Sequence, residues 1–166
     1  MTLQPGDSAP DFTLPSQSGE EIRLSDLWGG RHVVLYFYPK DFTPGCTAEA
    51  CAFRDEHSEF RELDAQVIGI SSDTVRSHRE FAEKFELPYP LLADHEGEIR
   101  AMYGVGNSLG VIPGRVTFLI DSDGIIRHVF SSQRKIKRHV VGALEELKRN
   151  RLESHWKPQS NTEEGS

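Results

Sequence analysis

The chain has 166 residues, 37% of them hydrophobic, and a formal net charge of −7. This length corresponds to about one domain with its own core, and the negative charge disfavours binding to nucleic acid or anionic lipid. The longest apolar run, Val33 to Tyr38, is far shorter than the about 18 residues that a membrane helix needs. Because the first ten residues also lack the pattern of a signal peptide, we expect a cytoplasmic protein with no membrane or nucleic-acid partner.

Strand patterns alternate with helical patterns along the chain. Alternating segments on either side of Pro15–Gly19 predict an N-terminal β-hairpin. Continuous β-branched and aromatic runs at 33–38, 66–71 and 115–120 predict strands buried on both faces. The turn at Asp123-Gly124 predicts a further hairpin strand over 125–130.

Helical patterns fill the gaps between these strands. The predicted helices cover residues 44–63, 74–85, 96–103 and 136–150. Strands that alternate with helices and end in a late hairpin indicate an α/β fold with a mixed central sheet flanked by helices. We expect one domain over residues 1–150 and a polar, flexible C-terminal tail over 151–166.

Cys46 stands near the start of the first predicted helix. Thr43 is the predicted N-cap, and Pro44 fits the first helical position. Cys46 is then the third helical residue, where unpaired N–H groups and the positive end of the helix dipole favour the thiolate. A thiolate attacks peroxides, disulfides or metals, so we interpret Cys46 as reactive rather than as a small buried hydrophobe.

Cys51 follows Cys46 by five residues, which in a regular helix means about 7.5 Å of rise and about 140° of rotation. Two Cα atoms more than about 7 Å apart cannot be bridged without backbone movement. Either the two cysteines act separately, or the helix unwinds to let them meet. On the helical wheel Cys46 lies at the edge of the apolar stripe, and Cys51 points toward solvent.

The residues around Cys46 resemble the peroxiredoxin family. Pro39, Thr43 and Cys46 match its Pro-x-x-x-Thr-x-x-Cys signature, and residues 43–55 look like the peroxiredoxin Q subfamily, also called bacterioferritin comigratory protein. Residues 115–121 resemble the family's later strand, which carries an active-site arginine. The likeness covers roughly residues 3–148.

The resemblance implies a thioredoxin-like fold and a thiol peroxidase that needs neither a cofactor nor a metal. It implies that Cys46 is the peroxidatic cysteine and that Cys51 resolves it through a disulfide between the two. The implied substrates are hydrogen peroxide and organic hydroperoxides. The implied partner is thioredoxin or a similar dithiol reductant, and we expect a monomer.

The resemblance also assigns the residues around the sulfur. Thr43 and Arg115 match the residues that hold the peroxide and the thiolate, and Pro39 matches the residue that shields the pocket. We place Glu49 at the substrate pocket, behind the residues that touch the peroxide. Residue chemistry agrees, because peroxide cleavage by a thiolate needs a nucleophile, a hydrogen-bond donor and a nearby cation.

Two other functions fit the same cysteines. The first is a thiol–disulfide oxidoreductase or redox sensor that acts on protein partners. The second is a binding module that holds a metal through Cys46, Cys51 and His57, although this spacing matches no common zinc pattern. Peroxide-dependent consumption of reductant discriminates against the first alternative, and metal content against the second.

Overall fold

The computed structural model describes the backbone of residues 2–108 and 112–165, and the side chains of residues 2–106 and 114–151. Within these ranges the strands are β1 (Thr13–Pro15), β2 (Glu21–Arg23), β3 (His32–Phe37), β4 (Ala65–Ser71), β5 (Leu91–Ala93), β6 (Asn107–Ser108), β7 (Ile112–Pro113), β8 (Val116–Ile120) and β9 (Ile126–Ser131). The helices are α1 (Pro44–Asp55), α2 (His57–Glu62), α3 (Val75–Phe85), α4 (Glu98–Met102) and α5 (Ile136–Gly165), and a 3₁₀ helix covers Leu24–Asp26.

The central element is a five-stranded mixed sheet in the order β5-β4-β3-β8-β9. Strands β3, β4 and β5 run parallel, while β8 is antiparallel to both β3 and β9. The predicted α/β class with a mixed sheet is therefore confirmed. The sequence did not predict β5, because a run of only three residues gives no recognisable period.

The predicted N-terminal hairpin is also confirmed, with β1 antiparallel to β2. Its turn residue Gln17 bonds to the segment around β5: Oε1 accepts from the N–H of Leu91 at 2.8 Å, and Nε2 donates to the carbonyl of Tyr89 at 3.1 Å. The hairpin thereby covers backbone groups at one edge of the sheet, where they would otherwise be open to another strand.

Successive residues of β3 alternate between the two faces of the sheet, and each face has its own core. On one face, Tyr36 stacks on Phe53 of α1 with ring centroids 4.6 Å apart. This face is also covered by apolar side chains of α2, α3 and α5, namely Phe60, Phe81, Val140 and Leu144. The first helix is thus fixed to the sheet just beyond its cysteines.

The single helix predicted over residues 44–63 is interrupted in the structure. It ends at Asp55, and Glu56 takes φ −102° and ψ 11° before α2 begins. The break lets Phe53 and Phe60 both be buried, with ring centroids 5.8 Å apart. Neither Gly nor Pro occurs at this point, so the sequence contains no local signal for it.

Helices α3 and α4 lie where the sequence predicts them. Thr74 caps α3, because its Oγ1 accepts from the N–H of Ser77 at 3.0 Å. The Asp94 carboxylate accepts from the N–H groups of Ile99 and Arg100, at 3.1 and 2.9 Å, at the start of α4. Among the described helices, none combines the length and apolar character needed to cross a bilayer.

The last helix was predicted to end at Asn150, but it continues to Gly165. Extending a nucleated helix costs little per residue, and residues 151–157 contain neither Gly nor Pro. Side chains beyond Arg151 lie outside the described ones. The division into a domain over 1–150 and a flexible tail over 151–166 therefore stays a prediction.

Candidate active site

A loop from Tyr38 to Thr43 joins β3 to α1 and positions the first turn of that helix. Thr43 occupies the predicted N-cap position with an extended backbone, and Pro44 is the first helical residue. The Thr43 hydroxyl does not cap the helix, however, because it donates to the carbonyl of Lys40 at 2.9 Å. Because the hydroxyl proton is used in this bond, the lone pairs of Oγ1 can accept a hydrogen bond from a ligand.

Cys46 lies in the first turn of α1 and is only 1% exposed. The first helical hydrogen bond runs from the N–H of Thr47 to the carbonyl of Thr43 at 2.8 Å, so the N–H groups of Gly45 and Cys46 have no acceptor within the helix. The expectation that Cys46 lies at the edge of the apolar stripe was wrong. It belongs to the buried face together with Glu49, Ala50 and Phe53, because that whole face packs on the sheet.

Arg115, the residue before β8, is buried beside this turn. Its Nη1 donates to Oε1 of Glu49 at 2.6 Å. Burial opposes the charge of the guanidinium, but the negative charges of Glu49 and Cys46 outweigh it and raise the pKa of Arg115. A Cβ atom on Gly45 would lie 3.0 Å from Nη2 of Arg115, so the guanidinium packs directly on the backbone next to Cys46.

Glu49 is fully buried one helical turn after Cys46. Burial raises its pKa to about 7, although the charge of Arg115 pulls the pKa down. Its Oε2 has no hydrogen-bond partner among the described residues and lies 3.7 Å from Nδ1 of His139. The Nε2 of His139 donates to the carbonyl of Ser132 at 2.9 Å, and Nδ1 lies 2.7 Å from the Thr117 hydroxyl. Glu49 thus links Arg115 on one side to a buried histidine of α5 on the other.

Arg100 of α4 is a second buried arginine at this site, and the sequence did not predict it. Its Nη2 donates to the carbonyl of Tyr38 at 2.8 Å, and its Nη1 to the carbonyl of Gly114 at 3.0 Å. Burial lowers the pKa of Arg100, against the opposing charges of Asp94 and Cys46. Arg100 therefore ties the first residue of the loop before Cys46 to the residue before Arg115, and adds positive charge near the sulfur.

Cys51 is half-buried, and both cysteines are free thiols. Its predicted orientation toward solvent is only partly met, since the side chain is neither buried nor fully exposed. Among the described residues, the side chains that bring three ligand atoms within 4.8 Å of one another are Asp41, Asp73 and His78. Cys46, Cys51 and His57 form no such group, so the geometry does not support the metal-binding alternative.

The structure brings together Cys46, Glu49 and Arg115, and it places Thr43 three residues before the cysteine at the helix start. Pro39 is half-buried where β3 runs into the loop. Sequence reasoning missed Arg100 and His139. The only available signal was the presence of an ionisable residue within each predicted helix, which is too common to identify a site.

Comparison with known proteins agrees with this geometry. Residues 5–129 match the family model described as the AhpC/TSA family. Peroxiredoxin Q, chloroplastic, from rice (Oryza sativa subsp. japonica) is 44% identical over 143 residues, which cover 86% of this chain and 65% of the rice protein. The chain belongs to the AhpC/TSA family, in its peroxiredoxin Q group. It spans just under two-thirds of the length of the rice relative.

Solved structures confirm the fold of this peroxiredoxin Q chain. The peroxidoxin BcpB from Mycobacterium tuberculosis superposes with a TM-score of 0.83 at 44% identity, covering 88% of this chain and 97% of that one. A cysteine-to-serine mutant of Xylella fastidiosa PrxQ gives a TM-score of 0.83 at 30% identity, covering 90% and 98%. The thioredoxin-like fold expected from the resemblance is therefore confirmed, including the mixed central sheet.

Proposed function

We propose that this protein is a thiol peroxidase that reduces hydrogen peroxide and organic hydroperoxides through Cys46. The observation that carries the proposal is the sulfur of Cys46 in the first turn of α1, next to a buried arginine that is itself held by Glu49. A thiolate there has a nearby cation and unpaired backbone N–H groups, and among the described residues it belongs to no cluster of metal ligands.

In the proposed first step the Cys46 thiolate attacks the terminal oxygen of ROOH. The S–O bond forms while the O–O bond breaks, and the leaving alkoxide takes up a proton. Arg115 and the N–H groups of Gly45 and Cys46 stabilise the developing negative charge. Thr43 Oγ1, whose own proton is bonded to Lys40, accepts the O–H of the peroxide.

In the second step the Cys46 sulfenic acid condenses with the Cys51 thiol, so that the S–S bond forms and water leaves. Because five helical residues separate the two cysteines by about 7.5 Å of rise, this step requires residues 44–52 to unwind. Two electrons and two protons from thioredoxin, or a similar dithiol, then restore both thiols.

The proposal includes a monomer located in the cytoplasm. The sequence holds only two cysteines, five residues apart, rather than the framework of several disulfides that is typical of small secreted domains, which supports a reducing compartment. Among the described residues the large apolar side chains that are exposed are Phe42, Met102 and Val141, and so small a number supports a monomer. The net charge of −7 disfavours partners that are nucleic acid or anionic membrane. Sedimentation and cell fractionation test these points.

Thiol counting with one equivalent of peroxide tests the peroxidase proposal. Wild-type protein should lose both thiols, Cys46→Ser neither, and Cys51→Ser one, with an added oxygen on Cys46 in the mass spectrum. Peroxide-dependent oxidation of thioredoxin should require both cysteines. Turnover that persists in Cys46→Ser contradicts the proposal. Reduction of protein disulfides, or oxidation of protein dithiols, without any response to peroxide favours the oxidoreductase alternative.

A further inference from the structure

Asp41 lies in the middle of the loop between β3 and α1 and is only 3% exposed. Its Oδ1 accepts from the Tyr38 hydroxyl at 2.6 Å. Its Oδ2 accepts from the Ser77 hydroxyl at 2.8 Å and faces Nδ1 of His78 at 2.7 Å. Three side-chain groups therefore converge on one buried carboxylate, which is the condition for keeping such a charge inside a protein.

His78 is the buried end of this arrangement, with a side chain that is fully inaccessible. Its Nε2 lies 3.0 Å from the carbonyl oxygen of Leu92 in β5. A carbonyl only accepts, so Nε2 carries a proton, and a second proton lies between Nδ1 and the Asp41 carboxylate. The imidazole thus bridges the loop to β5, through a residue of α3.

The backbone of Asp41 is held as well. Its N–H donates to Oδ2 of Asp73 at 2.8 Å, and the same oxygen accepts from the Ser71 hydroxyl at 2.6 Å. Asp41 therefore contacts Tyr38 and the start of α3 directly, and it is linked to β4 through Asp73 and to β5 through His78. A buried polar network whose members are satisfied in this way fixes a single local geometry.

The next residue shows why such a restraint is needed. Phe42 has φ 67°, a left-handed conformation that is unfavourable for a bulky side chain. The residue is 45% exposed, and its ring rests on Phe81 with centroids 5.0 Å apart. The residue after it is Thr43, so the strained backbone leads directly into the helix start that carries Cys46.

We propose that Asp41 and His78 are positioning residues for the reaction with peroxide. The pair holds the strained loop in place, and thereby orients the Thr43 hydroxyl and the first N–H groups of α1 toward a peroxide at Cys46. Neither side chain touches Cys46 in the described contacts, so both act through the loop. This inference rests on the peroxidase function proposed above.

Two substitutions of His78 separate its two hydrogen bonds. In His78→Asn the amide nitrogen takes approximately the place of Nδ1 and still donates to Asp41. In His78→Gln it takes approximately the place of Nε2 and donates to Leu92 instead. Three quantities are measured on the full chain: the rate constant of Cys46 with hydrogen peroxide, its rate constant with neutral iodoacetamide, and Tm.

We expect His78→Gln to react with peroxide at least about tenfold more slowly than His78→Asn, since misplacing groups by about 1 Å can cost about 100-fold in rate. The iodoacetamide rate should differ much less, because alkylation needs the thiolate but not the oriented loop. Tyr103→Phe is the stability control, since it removes a hydrogen bond to the Pro10 carbonyl far along the chain from the loop. It should lower Tm without slowing the peroxide reaction.

Equal peroxide rate constants in the two His78 variants would overturn the inference. So would a parallel fall of the peroxide and iodoacetamide rates, which would indicate an effect on the thiolate or on the whole fold. If the His78 variants do not fold, Ser77→Ala serves instead, because Ser77 is half-buried and its loss takes one hydrogen-bond donor away from Asp41. This variant should slow the reaction with peroxide more than the reaction with iodoacetamide, and an unchanged peroxide rate constant would count against the inference. Failure of wild-type Cys46 to react with peroxide would instead contradict the proposed function.

Discussion

The Nη1 atom of Arg115 lies 2.6 Å from Oε1 of Glu49, and both side chains are buried. The same guanidinium packs on Gly45 and faces the sulfur of Cys46. Arg115 therefore has two tasks, one as the partner of a buried carboxylate and one as the cation beside the reactive sulfur. The first concerns stability and the second concerns the rate of the peroxide step, so suitable variants can separate them.

Arg115→Ala should impair both tasks. Breaking one side of a buried ion pair costs about 3–5 kcal/mol in the free energy of unfolding, and losing one electrostatic donor costs about 10²–10³ in rate. The double variant Arg115→Ala/Glu49→Gln leaves no unpaired charge, so it should recover much of the stability but none of the rate. Urea unfolding and stopped-flow oxidation by peroxide measure the two effects. Recovery of the rate in the double variant would show that Arg115 acts only as a structural partner.

Glu49 should make stability depend on pH. Its pKa is raised by burial from 4.5 to about 7, so the folded state favours the protonated acid. The resulting stabilisation is complete below pH 4.5 and is lost as the pH rises to about 7. Glu49→Gln stays neutral throughout, so wild-type protein should lose stability relative to it by about 1.4 kcal/mol per pH unit within this window. Urea unfolding at pH 5 and pH 8 checks this, and a constant difference between the two proteins would contradict it.

Gly45→Ala should slow the reaction with peroxide while preserving stability. Alanine is the better helix former by up to about 1 kcal/mol. The added methyl group would lie 3.0 Å from Nη2 of Arg115, and the end of that flexible side chain must move away. We expect an unchanged or higher Tm together with a lower peroxide rate constant. A wild-type rate in this variant would mean that the position of the guanidinium is not critical.

Tyr89 should oppose the unwinding that disulfide formation requires. Its hydroxyl donates to the carbonyl of Ala50 at 2.9 Å and lies 2.8 Å from the Tyr36 hydroxyl. Tyr89→Phe removes the bond to α1, whereas Tyr36→Phe keeps it and serves as the matched control. Because one such bond contributes about 1 kcal/mol, disulfide formation after oxidation of Cys46 should accelerate about fivefold in Tyr89→Phe only. Rapid quenching with mass spectrometry measures this step, and equal acceleration in both variants would contradict the expectation.

The sequence alone determined the parts of this protein that depend on near neighbours. Continuous β-branched and aromatic runs predicted strands β3, β4 and β8, the Asp123-Gly124 turn predicted β9, and helical patterns predicted most helices. The Thr43-Pro44 pair located the start of α1 and put Cys46 in its first turn. These features follow from backbone sterics and helix-end hydrogen bonding within a few residues. One local detail was still predicted wrongly, because the Thr43 hydroxyl donates to the Lys40 carbonyl instead of capping the helix.

Tertiary structure decided everything that requires a partner from elsewhere in the chain. Arg115 and Glu49 are separated by 66 residues, Arg100 and Tyr38 by 62, and His78 and Asp41 by 37. The break at Glu56 likewise depends on the burial of Phe53 and Phe60 together. The physical reason is desolvation: an ionisable side chain is tolerated in the interior only where folding brings a complementary group to it. The local sequence pattern does not indicate which distant residue will supply that group.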